Sequence, residues 1–446
     1  MERAADVLQV KLESRLFPSH LEAVPQLNEL YELQLAYYES QILSDEELIQ
    51  RGAYFAQVRG RPTRHYLICR GEPLKLAEHS SSRLKAFFKT NQFKTGYATH
   101  GLFPYRGKFH PQMVKALLNI MGLRPGETVL DPMMGSGTTL IEATLMGIHS
   151  VGLDASPFCR FMTQAKLDGL QVELDPLHWA LQHSDAVFDY FTQTTGHPAD
   201  DTSSRPSAQV KLNLEKGVNT AKSAAIEKTL EDDRVRNYLL LAYLDSAGYS
   251  IRSQRRPPLE QFRAILERYA FVAQKIQDVL RGVESELGRG RALEGDARQL
   301  PLENGGVQGI LFSPPYSFAI DYVANDEFHL RSMGVEIPSL KARMIGLRGA
   351  DLREKYGLYV RDMSSVLREC HRVLERGRFC TVVVGTNSQQ LARILGVEPE
   401  SVKTIDSLLV EIAGETGLSL VQRIERQITG MANTMRTEAI LLLRKE

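Results

Sequence analysis

The chain has 446 residues, 43% hydrophobic and 24% charged, with 54 Lys and Arg balancing 54 Asp and Glu. That length allows two or three domains around a sizeable core, and the composition is that of an ordinary globular protein rather than a disordered or fibrous one. A net charge of zero gives no overall bias toward nucleic acid, so only the local distribution of charge is informative.

No stretch approaches the length of a membrane span, and the start, Met1-Glu2-Arg3-Ala4-Ala5-Asp6, lacks the basic-then-apolar pattern of a secretory signal. Cys69, Cys159, Cys370 and Cys380 show no paired metal spacing and are too sparse for a disulfide framework. A reducing, cytoplasmic setting is the expectation.

Residues 1–80 read as an N-terminal accessory region. Leu27, Leu30, Tyr31, Leu35 and Tyr38 recur at helical spacing, the mark of a packing face. Tyr66-Leu67-Ile68-Cys69 reads as a short strand, and no catalytic constellation is found here.

From His79 to Arg124 there is neither Asp nor Glu. Basic residues, among them Lys89, Lys94, Arg106 and Lys108, alternate there with Phe87, Phe88, Phe93, Tyr97, Phe103, Tyr105 and Phe109. Cations neutralise phosphates and aromatic faces stack on bases, so the stretch is a candidate nucleic-acid contact. The competing reading is solvated lysines over aromatic core residues. Its end leads into an amphipathic helix through Val114, Leu117, Leu118 and Met121, with His110 read as a capping or packing residue before a catalytic one.

Next comes Thr128-Val129-Leu130-Asp131-Pro132-Met133-Met134-Gly135-Ser136-Gly137-Thr138-Thr139 and a helical run from Leu140 to Met146. Strand, glycine turn and helix open a doubly wound α/β domain, and Gly135 and Gly137 let a ligand approach the backbone. The turn lacks both the Gly-Lys-Ser/Thr ending of a phosphate loop and the G-x-G-x-x-G pattern. Asp131 suits an amine-bearing part of a ligand. The next strand, Ser150 to Asp154, ends in a carboxylate at the spacing from which an acid holds ribose hydroxyls.

Residues 161–288 interrupt this pattern as a mostly helical insertion, with helical runs at 176–191, 238–243 and 262–279. Arg252, Arg255 and Arg256 beside Pro257-Pro258 fit either a phosphate backbone or a solvated helix start. The α/β pattern resumes in 289–446. A short strand from Arg291 to Asp296 ends in a third acid, a candidate acceptor for an adenine amino group. The apolar run Gly309-Ile310-Leu311-Phe312 then stops at Ser313-Pro314-Pro315-Tyr316, because proline cannot donate to a sheet ladder. Helical patterns at 318–333 and 363–374 and a buried strand from Arg378 to Gly385 follow; strands at 418–423 and 437–443 close the chain as a candidate antiparallel edge.

Asp131, Asp154, Asp296 and Ser313 therefore share the carboxyl edge of one parallel sheet, where open α/β sheets bind ligands. Three acids and a glycine turn suit an adenosine with an amino-acid tail. The Ser313–Tyr316 corner offers a hydroxyl, carbonyls and an aromatic face to a planar base with an exocyclic amino group.

These residues resemble the S-adenosylmethionine-dependent amino-methyltransferases of nucleic acids. The resemblance covers about 81–160 and 289–446, the two parts of the methyltransferase domain. It rests on the Asp131–Thr138 turn, Asp154, Asp296 and the Ser313–Tyr316 corner followed by Ala319-Ile320-Asp321-Tyr322. A serine opening the corner is similar to the cytosine-N4 DNA enzymes; adenine-N6 and RNA guanine-N2 enzymes more often place Asp or Asn there. Many cytosine-N4 enzymes carry the corner before the glycine motif, whereas here it follows, and no large recognition domain comes after it.

The resemblance implies S-adenosyl-L-methionine held by Asp131, Pro132, Gly135, Gly137, Thr138, Asp154 and Asp296. It implies catalysis by Ser313, Pro314, Pro315 and Tyr316, with a DNA substrate before an RNA one and a cognate restriction endonuclease as a partner. None of the four cysteines follows a proline, which argues against methylation at carbon 5 through a cysteine nucleophile. A non-catalytic nucleotide-binding module on the same fold is the reading from another class.

Overall fold

The computed structural model describes residues 14–25, 27, 29–70, 95–105, 107–195, 220–252, 256–281, 286–315, 321–427 and 437–446. Three short strands, β1 (Leu21–Ala23), β2 (Phe55–Val58) and β3 (Arg61–Pro62), form a small antiparallel sheet near the N-terminus. The other seven, β4 (Thr128–Asp131), β5 (His149–Asp154), β6 (Gly290–Glu294), β7 (Val307–Phe312), β8 (Leu374–Gly385), β9 (Leu418–Gln427) and β10 (Thr437–Lys445), form one sheet in the order β6-β5-β4-β7-β8-β10-β9.

Pairings from β6 through to β8 are parallel, while β10 runs antiparallel to both β8 and β9. The architecture is Rossmann-like α/β, with the antiparallel edge that the last two strand patterns suggested. The strand order reverses between β4 and β7. Their following segments diverge there and leave a crevice beyond the carboxyl ends.

Alternation along the strands assigns the two faces. Val129, Leu311, Val383, Ile440 and Leu442 enter one core with Met113, Val114 and Leu117 of the helix Pro111–Ile120 and with residues of the N-terminal region such as Leu35, Tyr54 and Phe55. Their neighbours Leu130, Ile310, Phe312, Val382, Val384 and Leu441 enter the opposite core. There they meet Met363, Val366, Leu367 and Cys370 of the helix Leu352–Val373. Strands buried on both faces read as unbroken apolar runs, and each such side chain contributes roughly 1.5–3 kcal/mol when removed from water.

The helices Leu174–Gln182, Ser184–Thr195, Asp233–Arg252 and Pro258–Arg281 build a third cluster around Phe158, Met162 and Leu167 of the helix Pro157–Asp168. The runs read from the sequence were shorter or fused: 176–191 is two helices, and 238–243 is the middle of a 20-residue one. Residues 66–69 are a correction. They belong to the helix Arg64–Cys69, which Thr63 starts by accepting the Tyr66 N–H, and buried Ile68 and Cys69 share its inner side. A four-residue apolar run cannot separate strand from helix by periodicity. Among the described residues, no helix is long and apolar enough to cross a membrane.

Candidate active site

The crevice at the strand reversal is a cleft of about 1090 Å³ including its open mouth. Asp131, Pro132, Gly135, Thr138, Asp154, Asp296, Ser313, Pro314 and Pro315 all line it. The sheet edge thus brings together the acids, the turn and the corner that the sequence placed there. Tyr316, Ala319 and Ile320 lie outside the described residues, as do Lys89, Lys94, Arg106 and Arg255.

Asp131 ends β4 with only 2% of its surface exposed. The Met133 backbone N–H donates to its Oδ1 at 3.0 Å. Burial nevertheless pushes the carboxyl up to about 7. A cationic group placed beside it would favour the carboxylate. Asp154, at the end of β5, accepts the Ser156 N–H on Oδ1 at 2.9 Å and the Gly135 N–H on Oδ2 at 3.0 Å. Burial raises its carboxyl and the backbone donors oppose the rise. Three backbone donors leave the carboxylate with acceptor capacity toward the cleft that it lines.

Gly135 has φ 49°, and a Cβ on it would meet the Tyr105 ring at 3.3 Å. The turn is narrow because tyrosine closes over it. Gly137, the other glycine of the turn, is not among the residues that line the cleft. It starts the helix Thr138–Leu145 with φ 77°, and a Cβ there would fall 2.4 Å from Thr163 Cγ2, so glycine is required for packing behind the turn.

Asp296 lies two residues past β6 and is engaged already. Arg298 donates its Nε to Oδ1 at 2.9 Å and its Nη2 to Oδ2 at 2.7 Å. Burial pushes the carboxyl up, but the guanidinium outweighs it and holds the group below the usual range. Asp296 can still accept a hydrogen bond at the cleft, as a neutralised ion pair rather than a free anion.

Of the phosphate-contact candidates, Lys108 is among the residues that line the cleft. Its ammonium turns inward and donates to the carbonyls of Thr95 and His100, both at 2.8 Å. Burial lowers it to about 8. A lysine so committed pins a turn. The described aromatics of that acid-free stretch also point inward: Tyr97 and Phe103 are core residues and Tyr105 walls the cleft. Arg256 is half-buried just before the helix Pro258–Arg281 and does not line the cleft. His110 occupies the N-cap position of Pro111–Ile120 and is buried, in line with a packing role.

The wall also includes Tyr105 and Tyr322, which the sequence had singled out, and Cys159, Asp326, Met344 and Ile345, to which sequence reasoning gave no part in the site. Tyr322 begins the helix Tyr322–Ser332, four residues shorter at its start than expected, after Asp321 caps it by accepting the Ala324 N–H at 2.9 Å. Its ring packs on Gly107, where a Cβ would approach within 3.2 Å. Cys159 places Sγ 3.5 Å from the Tyr105 hydroxyl, and burial raises its thiol well above the ordinary value. The cleft's one cysteine is thus held as a thiol, an unreactive form.

Residues 102–185 match the family model described as UPF0020: RMKL-like, methyltransferase domain. A 74-residue stretch is 43% identical to the type II methyltransferase M.MjaII of Methanocaldococcus jannaschii, covering 17% of this chain and 14% of that one. A stretch of 86 residues is 33% identical to the type II methyltransferase M.BsoBI of Geobacillus stearothermophilus, covering 19% and 17%. A third, of 52 residues, is 42% identical to the tRNA (guanine(10)-N2)-dimethyltransferase of Methanothermobacter thermautotrophicus, covering 12% and 16%. The chain thus spans 17% or less of the length of these curated relatives.

The methyl donor common to this domain type and this set of side chains is S-adenosyl-L-methionine. The fit is chemical. In that fit Asp131 would hold the ammonium, Asp154 the ribose hydroxyls and Asp296 the adenine amino group, all three acids lining the one cleft.

Proposed function

We propose that the protein is an S-adenosylmethionine-dependent methyltransferase that modifies an exocyclic amino group of a nucleic-acid base, in the first place cytosine N4 in DNA. The observation that carries the reading is a single one: Ser313 and Pro314 line the same cleft as Asp131 and Asp154.

S-adenosyl-L-methionine supplies a methyl group on a sulfonium, an electrophile strong enough for direct displacement. The chain's contribution is orientation. An exocyclic amino nitrogen is a poor nucleophile because its lone pair is delocalised into the ring. The Ser313 hydroxyl and the Pro314 carbonyl, freed from the sheet ladder by the proline that follows, would accept the two amino hydrogens. That arrangement turns the lone pair toward the donor, an advantage of proximity more than of proton abstraction. Met133, Met344 and Ile345 supply apolar wall and exclude water. Stacking on Tyr316, as the resemblance implies, would offset part of the few kcal/mol needed to unstack the base.

The serine that opens the corner supports cytosine N4, and two relatives named as type II methyltransferases support DNA, with a cognate endonuclease as a proposed partner. The match to a tRNA guanine-N2 enzyme supports a second reading with the same centre and a different polymer. Adenine N6 is the remaining amino target.

Transfer of labelled methyl to duplex DNA, single-stranded DNA and structured RNA separates these readings. Label in DNA alone supports the first, and label in RNA alone supports the second. Cofactor binding without transfer to any polymer would refute the enzymatic reading in favour of a binding module.

A further inference from the structure

We infer that Arg298 is a positioning residue that ties the acid at the cofactor end of the cleft to the wall beside the Ser-Pro-Pro corner, so that filling one end orders the other. The inference rests on the methyltransferase reading above and adds a coupling between its two subsites.

Arg298 spends its guanidinium on three partners. Nε and Nη2 grip the Asp296 carboxylate, Nη1 donates to Asp362 Oδ1 at 3.0 Å, and Nη2 also donates to the Arg343 carbonyl at 3.1 Å. Asp362 is buried in the middle of the helix Leu352–Val373, and the same oxygen receives Nη2 of Arg348. Arg343 and Arg348 bracket Met344, Ile345 and Gly346. Met344 and Ile345 line the cleft together with Asp296. Gly346 has φ 86°, and a Cβ on it would sit 3.6 Å from Pro315 Cβ, so the loop lies against the corner itself.

Contacts therefore run without a break from Asp296 through Arg298 to both ends of the 343–348 loop, and from that loop to Pro315. The planar fork of arginine is what permits this. Its donors diverge in one plane at fixed angles, and the Arg298 side chain is only 19% exposed. Lysine has the charge but presents its donors from a single point. A ligand amine that hydrogen-bonds Asp296 fixes the carboxylate, the fork and the loop together. A structural staple alone would hold the loop equally with and without ligand.

Hydrogen–deuterium exchange on the full-length protein, with and without saturating S-adenosylhomocysteine, distinguishes the two. In the wild type, peptides over 128–137 and over 337–351 are both expected to gain protection on binding, the second by roughly tenfold. In Arg298→Gln and Arg298→Lys the gain over 337–351 should vanish while that over 128–137 persists. Arg348→Gln, which loosens the loop without touching Asp296, should behave alike and serves if the Arg298 variants fail to fold. Wild-type protection confined to 128–137 would overturn the coupling alone, as would a 337–351 gain that survives in these variants. Protection at neither region would overturn the cofactor reading and the coupling with it.

Discussion

Gly135 donates its backbone N–H to Asp154 Oδ2 at 3.0 Å, so the glycine turn after β4 is fixed to the carboxylate that ends β5. Asp154 therefore shapes the turn and also lines the cleft, where the proposed function has it hold the cofactor. Asp154→Ala removes both. A hydrogen bond to a charged group is worth about 1.5–3 kcal/mol, so S-adenosylhomocysteine affinity should fall by roughly 10- to 100-fold. Calorimetry checks this. An unchanged dissociation constant would remove Asp154 from the site.

Asp131 gives the site a pH dependence. Burial lifts its carboxyl to about 7 in the free protein, whereas an ammonium beside it favours the carboxylate. Below about pH 7 the carboxyl is protonated and must release its proton before it can pair. Affinity for S-adenosylhomocysteine should therefore fall as pH drops through 7, by up to about tenfold per unit, and level off above it. Asp131→Asn should bind weakly and lose that slope. Titrations from pH 5.5 to 8.5 on both proteins provide the check.

Ser313→Ala should separate chemistry from cofactor binding. The hydroxyl lies at the corner and none of the acids depends on it, so cofactor affinity should stay within about twofold while turnover drops on the order of 100-fold, as for loss of one oriented polar group in an active site. Full activity in the variant would contradict the assigned role.

Gly137 tests the scaffold. Its φ of 77° and the 2.4 Å approach of Thr163 to an added Cβ leave no room for a side chain. Gly137→Ala should destabilise the fold by about 2–4 kcal/mol, from left-handed backbone strain and overpacking together. Gly305→Ala is a control: it has φ 63° but nothing within 4 Å of an added Cβ, and should cost only the backbone part. Chemical denaturation of both variants measures the difference.

The sheet edge that lines the cleft was legible in the sequence because parallel strands buried on both faces announce themselves as apolar runs, and acids or prolines mark where they stop. Asp131, Asp154 and Ser313 follow from that rule. The remaining wall did not, since Tyr105, Asp326, Met344 and Ile345 reach the cleft from loops and a helix whose placement no local pattern encodes. Arg298 left one signal, its position two residues after an acid of the sheet edge. The partners of Lys108 were illegible too: basic composition does not tell that its ammonium reaches the carbonyls of Thr95 and His100. Similarly, Tyr66–Cys69 carries an apolar run too short to declare its period.

The central claim is that a methyl donor and a base amine meet in one cleft. Its most direct test is mass analysis of the nucleosides recovered from DNA and RNA after incubation with the wild-type protein and isotopically labelled S-adenosyl-L-methionine. The account predicts one labelled nucleoside carrying its methyl on an exocyclic nitrogen, N4-methyldeoxycytidine first, formed on the order of 100-fold more slowly by Ser313→Ala. A label on a ring carbon or a ribose oxygen, or no labelled nucleoside at all, would contradict it.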